Sequence, residues 1–415
     1  MKLPDSKPRL VVFDVEGVLV PKNRFIFDAV KSLGVSRLLK VIFIGFLYEI
    51  GIVTLKSTLK RIFRIMQGLE VEKLEQIFNE IPLKPNVDIV FSQLKARNCK
   101  IALISSGLPM FLVKKLASKL GADYAFGIEV GVNDGKLTEE VWGDVIEADG
   151  KRKVLSQILA AEKLAQKDCA VVADDRNNLS MFLSGTLKIG YNPDFALRLM
   201  ADEVVTGNLS NVLPLIDGAP KQRILPSKND VLREIIHACG FFVPVFAGLI
   251  GVYPIVLLIC AVSTLYVISE LARMNGKNMV IIGAITQNAA TQAELHEFAA
   301  APLYFALGIL LTLLLFPLQV SGAAIAIFAL GDSAASIFGS FFSKTPLPFN
   351  KGKSLEGSLF GFFSAFLAAS AFVPPVPAFV GAFVAMTVES LPLPVNDNVL
   401  IPLCAGLVLM LLMPI

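Results

Sequence analysis

Apolar segments long enough to cross a lipid bilayer recur through the second half of this chain and restrict that half to a helical membrane fold. Of the 415 residues, 54% are hydrophobic, and the mean hydropathy of +0.65 is too high for an ordinary soluble protein. By the criterion of ~20 apolar residues per span, we predict about seven membrane spans. They lie at roughly 231–251, 253–272, 298–316, 320–341, 356–373, 376–391 and 398–414.

The charges between these segments predict an orientation. The connections at 251–253, 317–319 and 374–377 carry no charge, whereas the others carry lysines and arginines. By the positive-inside rule, the charged side is cytoplasmic. The first residues, 1–5, lack the apolar core of a signal peptide, so we expect the amino-terminal domain to be cytoplasmic too. The predicted protein is therefore a multi-pass integral membrane protein that contacts the bilayer. The basic residues on the charged side are Arg233, Arg273, Lys277, Lys344, Lys351 and Lys353.

The first half alternates apolar strand-like runs with helical patterns. The runs lie at 10–13, 101–104 and 170–173, with a weaker one at 187–190. Such alternation predicts a doubly wound α/β domain with a parallel sheet. We therefore expect an α/β domain at 1–218, a linker at 219–229 and an all-α membrane domain at 230–415.

Two of these predicted strands are followed by polar residues suited to phosphate chemistry. Asp14 ends the first run, and Glu16 follows two residues later, a layout for a nucleophile and a proton donor. Ser105, Ser106 and Gly107 follow the second run and offer a hydroxyl and backbone amides at a predicted helix start. Open α/β sheets place ligands at this edge, so we expect these residues to meet there.

Two later segments complete the pattern. Lys151 stands at the front of a predicted helix, where a lysine neutralises phosphoryl and carboxylate charge. Residues 174–178 follow the third run with two aspartates, which suit Mg²⁺. Taken singly, these features are more often a turn, a solvated lysine or a helix cap. Their order and shared position at strand ends favour a catalytic site.

The four segments resemble the motifs of haloacid-dehalogenase-type phosphatases, and most closely those of the phosphoserine phosphatase branch. The resemblance implies that Asp14 is the nucleophile and Glu16 the general acid, with Ser105 and Lys151 binding the phosphoryl group. It also implies Mg²⁺ held by Asp14, the Glu16 backbone carbonyl and Asp174. We add Ser106, Gly107 and Asn177 as substrate-binding residues.

The chain also departs from this family. Asn178 replaces the second acidic residue of the fourth motif, so an inactive regulatory domain remains an alternative. Residues 22–84 form the expected helical cap, yet Asn23 and Ile62 stand near the Glu and Arg that hold serine in phosphoserine phosphatases. We therefore expect poor activity on phosphoserine. The apolar run at 41–47 is either a cap helix packed on the body or a membrane-facing surface.

The membrane half carries a second set of candidate residues. Asp332 lies inside a predicted span, where an ionisable residue is by default functional. The loop 351–358 adds Lys353, Ser354 and Glu356, which suit phosphates and a metal–nucleotide complex. Together with Arg233 and His237, these residues resemble the CTP-dependent lipid kinases, which include dolichol kinase and phytol kinase.

The two resemblances together imply a bifunctional isoprenoid-lipid enzyme. Its membrane domain would phosphorylate a polyprenol- or dolichol-type alcohol with CTP, and Asp332 would be catalytic. Its first domain would hydrolyse a phosphomonoester with Mg²⁺. A CDP-lipid synthase paired with a lipid-phosphate phosphatase is the alternative enzyme. The partners expected are CTP, a lipid alcohol, its phosphate and the bilayer.

Charge and cysteine content exclude other classes. The net charge of +3 and the absence of a basic, aromatic-rich stripe give no indication of nucleic-acid binding. The five cysteines are scattered and form no C-x-x-C pair, so we expect neither a disulfide framework nor a thiolate metal site. A homo-oligomer remains compatible with the sequence.

Overall fold

The computed structural model describes residues 8–49, 52–218, 226, 228–274, 298–393 and 395–413. The chain divides into two compact units, Met1–Gln222 and Arg223–Ile415. Most of the predicted linker 219–229 lies outside the described residues, as does Lys277. Each unit is described separately below.

The amino-terminal unit is built on a seven-stranded sheet in the order β4-β3-β2-β1-β5-β6-β7. All neighbouring strands run parallel except β3 and β4, which are antiparallel. This confirms the predicted α/β class with a parallel sheet. The strands are β1 Leu10–Asp14, β2 Lys100–Pro109, β3 Tyr124–Asn133, β4 Lys136–Trp142, β5 Cys169–Ala173, β6 Leu187–Tyr191 and β7 Glu203–Val205.

The four predicted strands lie within β1, β2, β5 and β6. Strands β1 and β5 are buried along their whole length, which is why they read as unbroken apolar runs. Sequence patterning did not predict β3 and β4, whose exposed and buried residues are mixed. Their turn places Asp134 and Gly135 at positive φ (48° and 72°), the backbone geometry that short hairpins favour.

Helices of the amino-terminal unit form a cap and a body. The predicted cap contains four helices, α1 Arg24–Lys31, α2 Val35–Glu49, α3 Leu55–Met66 and α4 Val71–Glu80. The body contains α5 Val87–Ala96, α6 Met110–Leu120, α7 Gly150–Ala161, α8 Phe195–Met200 and α9 Val212–Ile216. Short 3-10 turns lie at Asp144–Ile146, Gln166–Asp168, Arg176–Met181 and Leu209–Asn211.

The cap packs through amphipathic helices. Thr54 caps the start of α3 by accepting a hydrogen bond from the Ser57 backbone N–H, 3.3 Å away. From there α3 buries Leu59, Ile62, Phe63 and Met66. Helix α2 differs, because apolar side chains along it remain exposed.

The carboxy-terminal unit is helical apart from a small hairpin. A π-helical turn lies at Ile327–Asp332, and a 3-10 turn lies at Cys239–Phe241. The helices are α10 Lys228–Ala238, α11 Phe242–Ile250, α12 Val252–Met274, α13 Ala301–Leu315, α14 Leu318–Ala326, α15 Ser333–Phe342, α16 Leu355–Ala369, α17 Pro375–Ser390 and α18 Asp397–Leu412. The hairpin strands are β8 Pro346–Leu347 and β9 Asn350–Ser354.

Within the described residues, three continuous helices are long and apolar enough to cross a membrane. They are Lys228–Ile250, Val252–Arg273 and Leu318–Phe342. The other four predicted spans coincide with apolar helices of 10–17 residues. At 1.5 Å per residue, such a helix is shorter than the ~30 Å apolar core of a bilayer. The structure therefore gives three candidate spans, and the seven-span topology stays a prediction.

Small residues let the helices of this unit approach closely. A Cβ added to Gly361 would lie 2.5 Å from Met386 Cε and 2.8 Å from Ala335 Cβ, and one added to Gly331 would lie 2.9 Å from Ala365 Cβ. Close packing through glycine and alanine is typical of membrane helices. It encloses the backbone beside Asp332.

Candidate active site

The carboxylate of Asp14 is fixed at the end of β1 by two buried side chains. Lys151 Nζ lies 3.2 Å from Asp14 Oδ1, and Asn178 Nδ2 donates to Asp14 Oδ2 at 2.7 Å. Lys151 also donates to Asn178 Oδ1 at 2.6 Å, which closes the triangle. The predicted helix start at Lys151 is correct, because α7 begins at Gly150. Both oxygens of Asp14 are thus oriented before any substrate arrives.

Ser105 lies on the neighbouring strand β2, one residue beyond the partner of Asp14 in the sheet register. Its Oγ accepts hydrogen bonds from the backbone N–H groups of Gly107 and Leu108, at 3.2 and 3.1 Å. The Ser105 proton is therefore directed away from these amides and is available to a phosphoryl oxygen. The prediction that residues 105–107 open a helix is wrong, since they continue β2 and α6 begins only at Met110.

Glu16 lies in an environment that favours its protonated form. Burial, followed by the neighbouring Asp14 carboxylate, raises the pKa of Glu16 to about 7. Its Oε1 is buried and has no hydrogen-bond partner among the described residues. A Cβ at position 107 would lie 1.8 Å from Glu16 Oε2, so Gly107 is required for this approach.

Two further carboxylates converge beside Asp14. Ligand oxygens of Asp14, Asp174 and Asp175 lie within 4.8 Å of one another. Asp174 Oδ1 is buried without a hydrogen-bond partner in the described part of the chain, and burial raises the pKa of Asp174 well above its usual range. Oxygen ligands with an unpaired buried atom fit a hard divalent cation. Binding of Mg²⁺ by the Glu16 backbone carbonyl stays a prediction.

Lys22 is a site residue that the sequence did not indicate, and it pairs with Asp175, the second of the two aspartates that follow the third apolar run. Lys22 Nζ lies 2.9 Å from Asp175 Oδ2 and 3.5 Å from Asp174 Oδ2. Asp175 also caps the 3-10 turn by accepting from the Asn177 backbone N–H at 3.0 Å. The sequence predicted Asp175 as a carboxylate suited to Mg²⁺ but not its contact with Lys22. Asn178 stands where the resembled family has an acidic residue, and the Asp175 carboxylate supplies a negative charge close to that position.

A cavity of about 260 Å³ extends from these residues into the cap. The body contributes Asp14, Glu16, Ser105, Ser106, Gly107, Asp175 and Asn177 to its lining. The cap contributes Lys22, Asn23, Ile26, Phe27, Val41, Ile42, Gly45, Phe46, Tyr48, Leu55, Thr58, Leu59 and Ile62. The structure thus brings Asn23 and Ile62, the positions singled out in the sequence, to this cavity.

Side chains at the end of α2 join the cap to the fourth motif. The Tyr48 hydroxyl donates to Asn177 Oδ1, and Arg176 donates to the Tyr48 carbonyl at 2.9 Å. The Arg176 guanidinium lies 5.0 Å from the centre of the Tyr48 ring. Asn177, predicted to bind substrate, lines the cavity while its side chain contacts Tyr48 and Asp175.

Lys84 is a further buried residue that the sequence did not indicate. Its Nζ donates to the Gly17 carbonyl at 2.6 Å, and its backbone N–H donates to the Leu19 carbonyl at 2.8 Å. Gly17 has a φ of 83°, and a Cβ there would lie 2.0 Å from Asp174 Oδ2. Lys84 therefore holds the loop after β1 in the conformation that lets Asp174 approach.

A second cluster of ionisable residues lies in the carboxy-terminal unit. Lys353 Nζ contacts Glu389 Oε1 at 2.6 Å and Asp397 Oδ2 at 3.1 Å. It also donates to the Glu389 carbonyl at 2.6 Å. The end of β9, the end of α17 and the start of α18 thus meet at one lysine.

Asp332 and His237, two of the residues predicted from the sequence, lie close together. His237 Nε2 lies 3.7 Å from Asp332 Oδ2, and its Nδ1 lies 3.2 Å from Ser333 Oγ. Glu234 joins this contact through its Oε1, which accepts from Ser336 Oγ at 2.9 Å. Arg233 Nη2 lies 3.6 Å from the same Glu234 oxygen. Helix α10 therefore brings His237 and Glu234 to the helix that carries Asp332, whereas Arg233 contacts Glu234 of its own helix.

Two other predicted residues have local structural contacts. Ser354 caps α16 by accepting from the Gly357 backbone N–H at 3.2 Å. Glu356 Oε2 accepts from the Thr345 backbone N–H at 3.2 Å. Both side chains therefore have partners within the protein. Their binding of phosphates and a metal–nucleotide complex stays a prediction.

The amino-terminal unit is similar to known proteins. The model of the haloacid dehalogenase-like hydrolases matches residues 8–185. A phosphoserine phosphatase from Methanocaldococcus jannaschii is 30% identical over 198 residues, which are 48% of this chain and 92% of that protein. One from Archaeoglobus fulgidus is 32% identical over 202 residues, 48% of this chain, which spans only 56% of that relative.

One solved structure is similar to this chain over a comparable share of its length. It is described as a phospho-aspartyl intermediate analogue of phosphoserine phosphatase and is 30% identical, with a TM-score of 0.44. The match covers 48% of this chain and 94% of that one. Through its amino-terminal unit, this chain belongs to the haloacid dehalogenase-like hydrolases, with a domain similar to phosphoserine phosphatases.

Proposed function

We propose that the amino-terminal unit is a Mg²⁺-dependent phosphomonoesterase that uses Asp14 as its nucleophile. The observation that carries this proposal is the orientation of the Asp14 carboxylate by Lys151 and Asn178, with Glu16 and Ser105 beside it. Asn178 keeps the nucleophile in place even though it is not acidic. These contacts favour an active enzyme over the regulatory alternative.

The proposed reaction has two steps. An oxygen of Asp14 attacks phosphorus while the ester P–O bond breaks, and Glu16 gives its proton to the leaving oxygen. A water molecule then attacks the aspartyl-phosphate and loses a proton to Glu16, which releases phosphate and restores Asp14. Lys151 balances the charge of the phosphoryl group, and the Ser105 hydroxyl donates to it.

The carboxylates of Asp14, Asp174 and Asp175 are the proposed Mg²⁺ ligands. A bound ion would neutralise charge on the phosphoryl oxygens. We expect chelation to abolish hydrolysis and added Mg²⁺ to restore it. We also expect Mg²⁺ to raise the melting temperature of the native chain, because a ligand that binds only the folded state stabilises it.

The matched variants for this prediction are Asp174→Asn and Asp134→Asn. Asp134 is exposed on the β3–β4 turn, where asparagine is equally compatible with positive φ. Asp174→Asn should lose the Mg²⁺-dependent rise in melting temperature, and Asp134→Asn should keep it. An equal rise in both variants would remove Asp174 from the proposed metal site.

Glu16→Gln is expected to lower kcat on alkyl phosphates by about 10²–10⁴-fold, the range for loss of a general acid–base group. p-Nitrophenol leaves without a proton, so the first step on p-nitrophenyl phosphate should persist. The expected result is a burst of nitrophenol followed by slow turnover, measured by stopped-flow absorbance. Glu80→Gln, at an exposed position, serves as the control. If Glu16→Gln gave no burst although its Asp14 remained reactive, the role of Glu16 as general acid would be contradicted.

For the carboxy-terminal unit, the proposed function is CTP-dependent phosphorylation of a polyprenol- or dolichol-type alcohol at the cytoplasmic face. The contacts of Lys353 with Glu389 and Asp397, and of His237 with Asp332, support a charged site suited to phosphoryl transfer. CTP as donor rests on the sequence resemblance. A CDP-lipid synthase is the competing enzyme and differs in its products. The two units would then interconvert a lipid alcohol and its phosphate.

A further inference from the structure

We infer that the cavity beneath the cap binds the apolar tail of a lipid phosphate monoester whose phosphate lies at Asp14. This inference rests on the proposed phosphatase and names its class of substrate. Charge and apolar surface are separated along the cavity, and an exposed apolar stripe leads into it.

Charge is confined to one end of the cavity. Among the described lining residues, the charged side chains are Asp14, Glu16, Lys22 and Asp175. Lys22 contacts Asp175, so all four belong to the phosphate end. An amino or carboxylate group carried into the cap would therefore lose its water without gaining a charged partner, which is costly.

The cap end of the cavity is mainly apolar. Ile26, Val41, Leu59 and Ile62 line it and are themselves buried. The Thr58 hydroxyl lies among them, buried and without a hydrogen-bond partner among the described residues. An alkyl or isoprenyl chain is the substituent that such walls stabilise, since binding removes apolar surface from water.

An apolar stripe on α2 connects this cavity to the surface. Leu39, Ile42, Phe43 and Phe46 follow the i, i+3, i+4, i+7 spacing of one helix face, and their exposed fractions run from 47% to 61%. Ile42 and Phe46 also line the cavity, so the stripe and the cavity are continuous. Exposed stripes of this kind mark surfaces that meet lipid or ligand.

A bilayer is the source of substrate that fits this stripe. Arg37 and Lys40 are exposed on the same helix and suit anionic headgroups. The same chain carries three helices that are long and apolar enough to cross a membrane, and their insertion would tether this domain to a bilayer. A lipid phosphate can then pass its tail along Ile42 and Phe46 without crossing water.

The test is a series of phosphate esters hydrolysed by the full chain in lipid nanodiscs. Ethyl, butyl and hexyl phosphate should show kcat/KM rising about twofold to fourfold per methylene, as burial of each methylene predicts. Hexadecyl phosphate in phosphatidylcholine vesicles should be hydrolysed, and phosphoserine should be the slowest substrate. If kcat/KM did not change along the alkyl series, or if phosphoserine were hydrolysed faster than hexyl phosphate, the inference would be overturned. Continued hydrolysis of p-nitrophenyl phosphate would show that the proposed phosphatase is nevertheless correct. Loss of p-nitrophenyl phosphate hydrolysis as well overturns both proposals together.

A matched pair of variants tests the lining. Phe46→Ser should reduce the hexyl-to-ethyl ratio of kcat/KM by about tenfold, because it removes an apolar wall at the entrance. Ile89→Ser changes an exposed apolar residue of α5 that does not line the cavity and should leave the ratio unchanged. The ratio compares two substrates of one protein, so a loss of folded material does not alter it. An unchanged ratio in Phe46→Ser would overturn the inference.

Discussion

Asp14→Asn is expected to abolish phosphomonoester hydrolysis, lowering kcat by at least about 10⁴-fold, as loss of a covalent nucleophile does elsewhere. The amide has nearly the shape of the carboxylate and keeps a group that can face Lys151, but it cannot attack phosphorus. The variant should still fold, because Glu16, Asp174 and Asp175 crowd this position and the substitution removes one of their like charges.

Two measurements check this prediction. Steady-state release of phosphate gives kcat. Acid quenching during turnover followed by mass spectrometry should find phosphate on the peptide that contains residue 14 in the native chain but not in Asp14→Asn. Asp88→Asn, at an exposed position of α5, is the matched control and should retain both signals. Hydrolysis at the native rate by Asp14→Asn would place the nucleophile elsewhere.

The parts of the site that directly follow an apolar run are predictable, since buried parallel strands read as continuous apolar runs. Asp14 and Ser105 follow such runs directly, and the register Asp14–Ile104 puts them side by side. Lys151 is predictable for a similar reason, because a helix pattern begins beside it. In each case a local pattern determines where the side chain lies.

The contacts between the cap and the body could not be predicted in the same way. Lys22 reaches Asp175, and Tyr48 reaches Asn177, across long separations in the chain. No periodicity of the sequence encodes such pairs, which depend on how the cap packs over the sheet. The apolar character of 41–47 was visible, but its connection to a cavity beside Asp14 required the structure.

In the carboxy-terminal unit, hydropathy found the apolar helices but overestimated the length of several. The segment predicted at 298–316 contains the 15-residue helix Ala301–Leu315. Apolar residues flanking a helix raise the window average without extending the helix itself. Ser354 and Glu356 are predicted to bind phosphates and a metal–nucleotide complex because they lie in a loop rich in Gly and Lys. The structure shows that Ser354 caps a helix and that Glu356 accepts from the Thr345 backbone, contacts that the loop composition does not reveal. Their binding roles stay predictions.

Lys353→Ala is expected to reduce CTP-dependent phosphorylation of a long-chain isoprenoid alcohol by at least about 10²-fold. Phosphoryl transfer needs fixed cations around the phosphates, and removal of one such group costs about this much. Lys353 also holds Glu389 and Asp397 together, so its loss leaves the buried Glu389 carboxylate without this cation. The measurement is transfer of label from γ-labelled CTP to polyprenol in proteoliposomes. Lys344→Ala, at an exposed position, is the control.

Asp332→Asn separates loss of chemistry from loss of fold in the same assay. The asparagine is nearly isosteric, and Asp332 is partly exposed beside His237, so the variant should fold and still lose transfer of the label. The products distinguish the competing enzymes. A phosphorylated alcohol with CDP supports the kinase, whereas a CDP-lipid with pyrophosphate, formed from a lipid phosphate, would assign a synthase. Transfer at the native rate by Asp332→Asn would exclude this residue from either reaction, because a catalytic carboxylate cannot be replaced by its amide without loss.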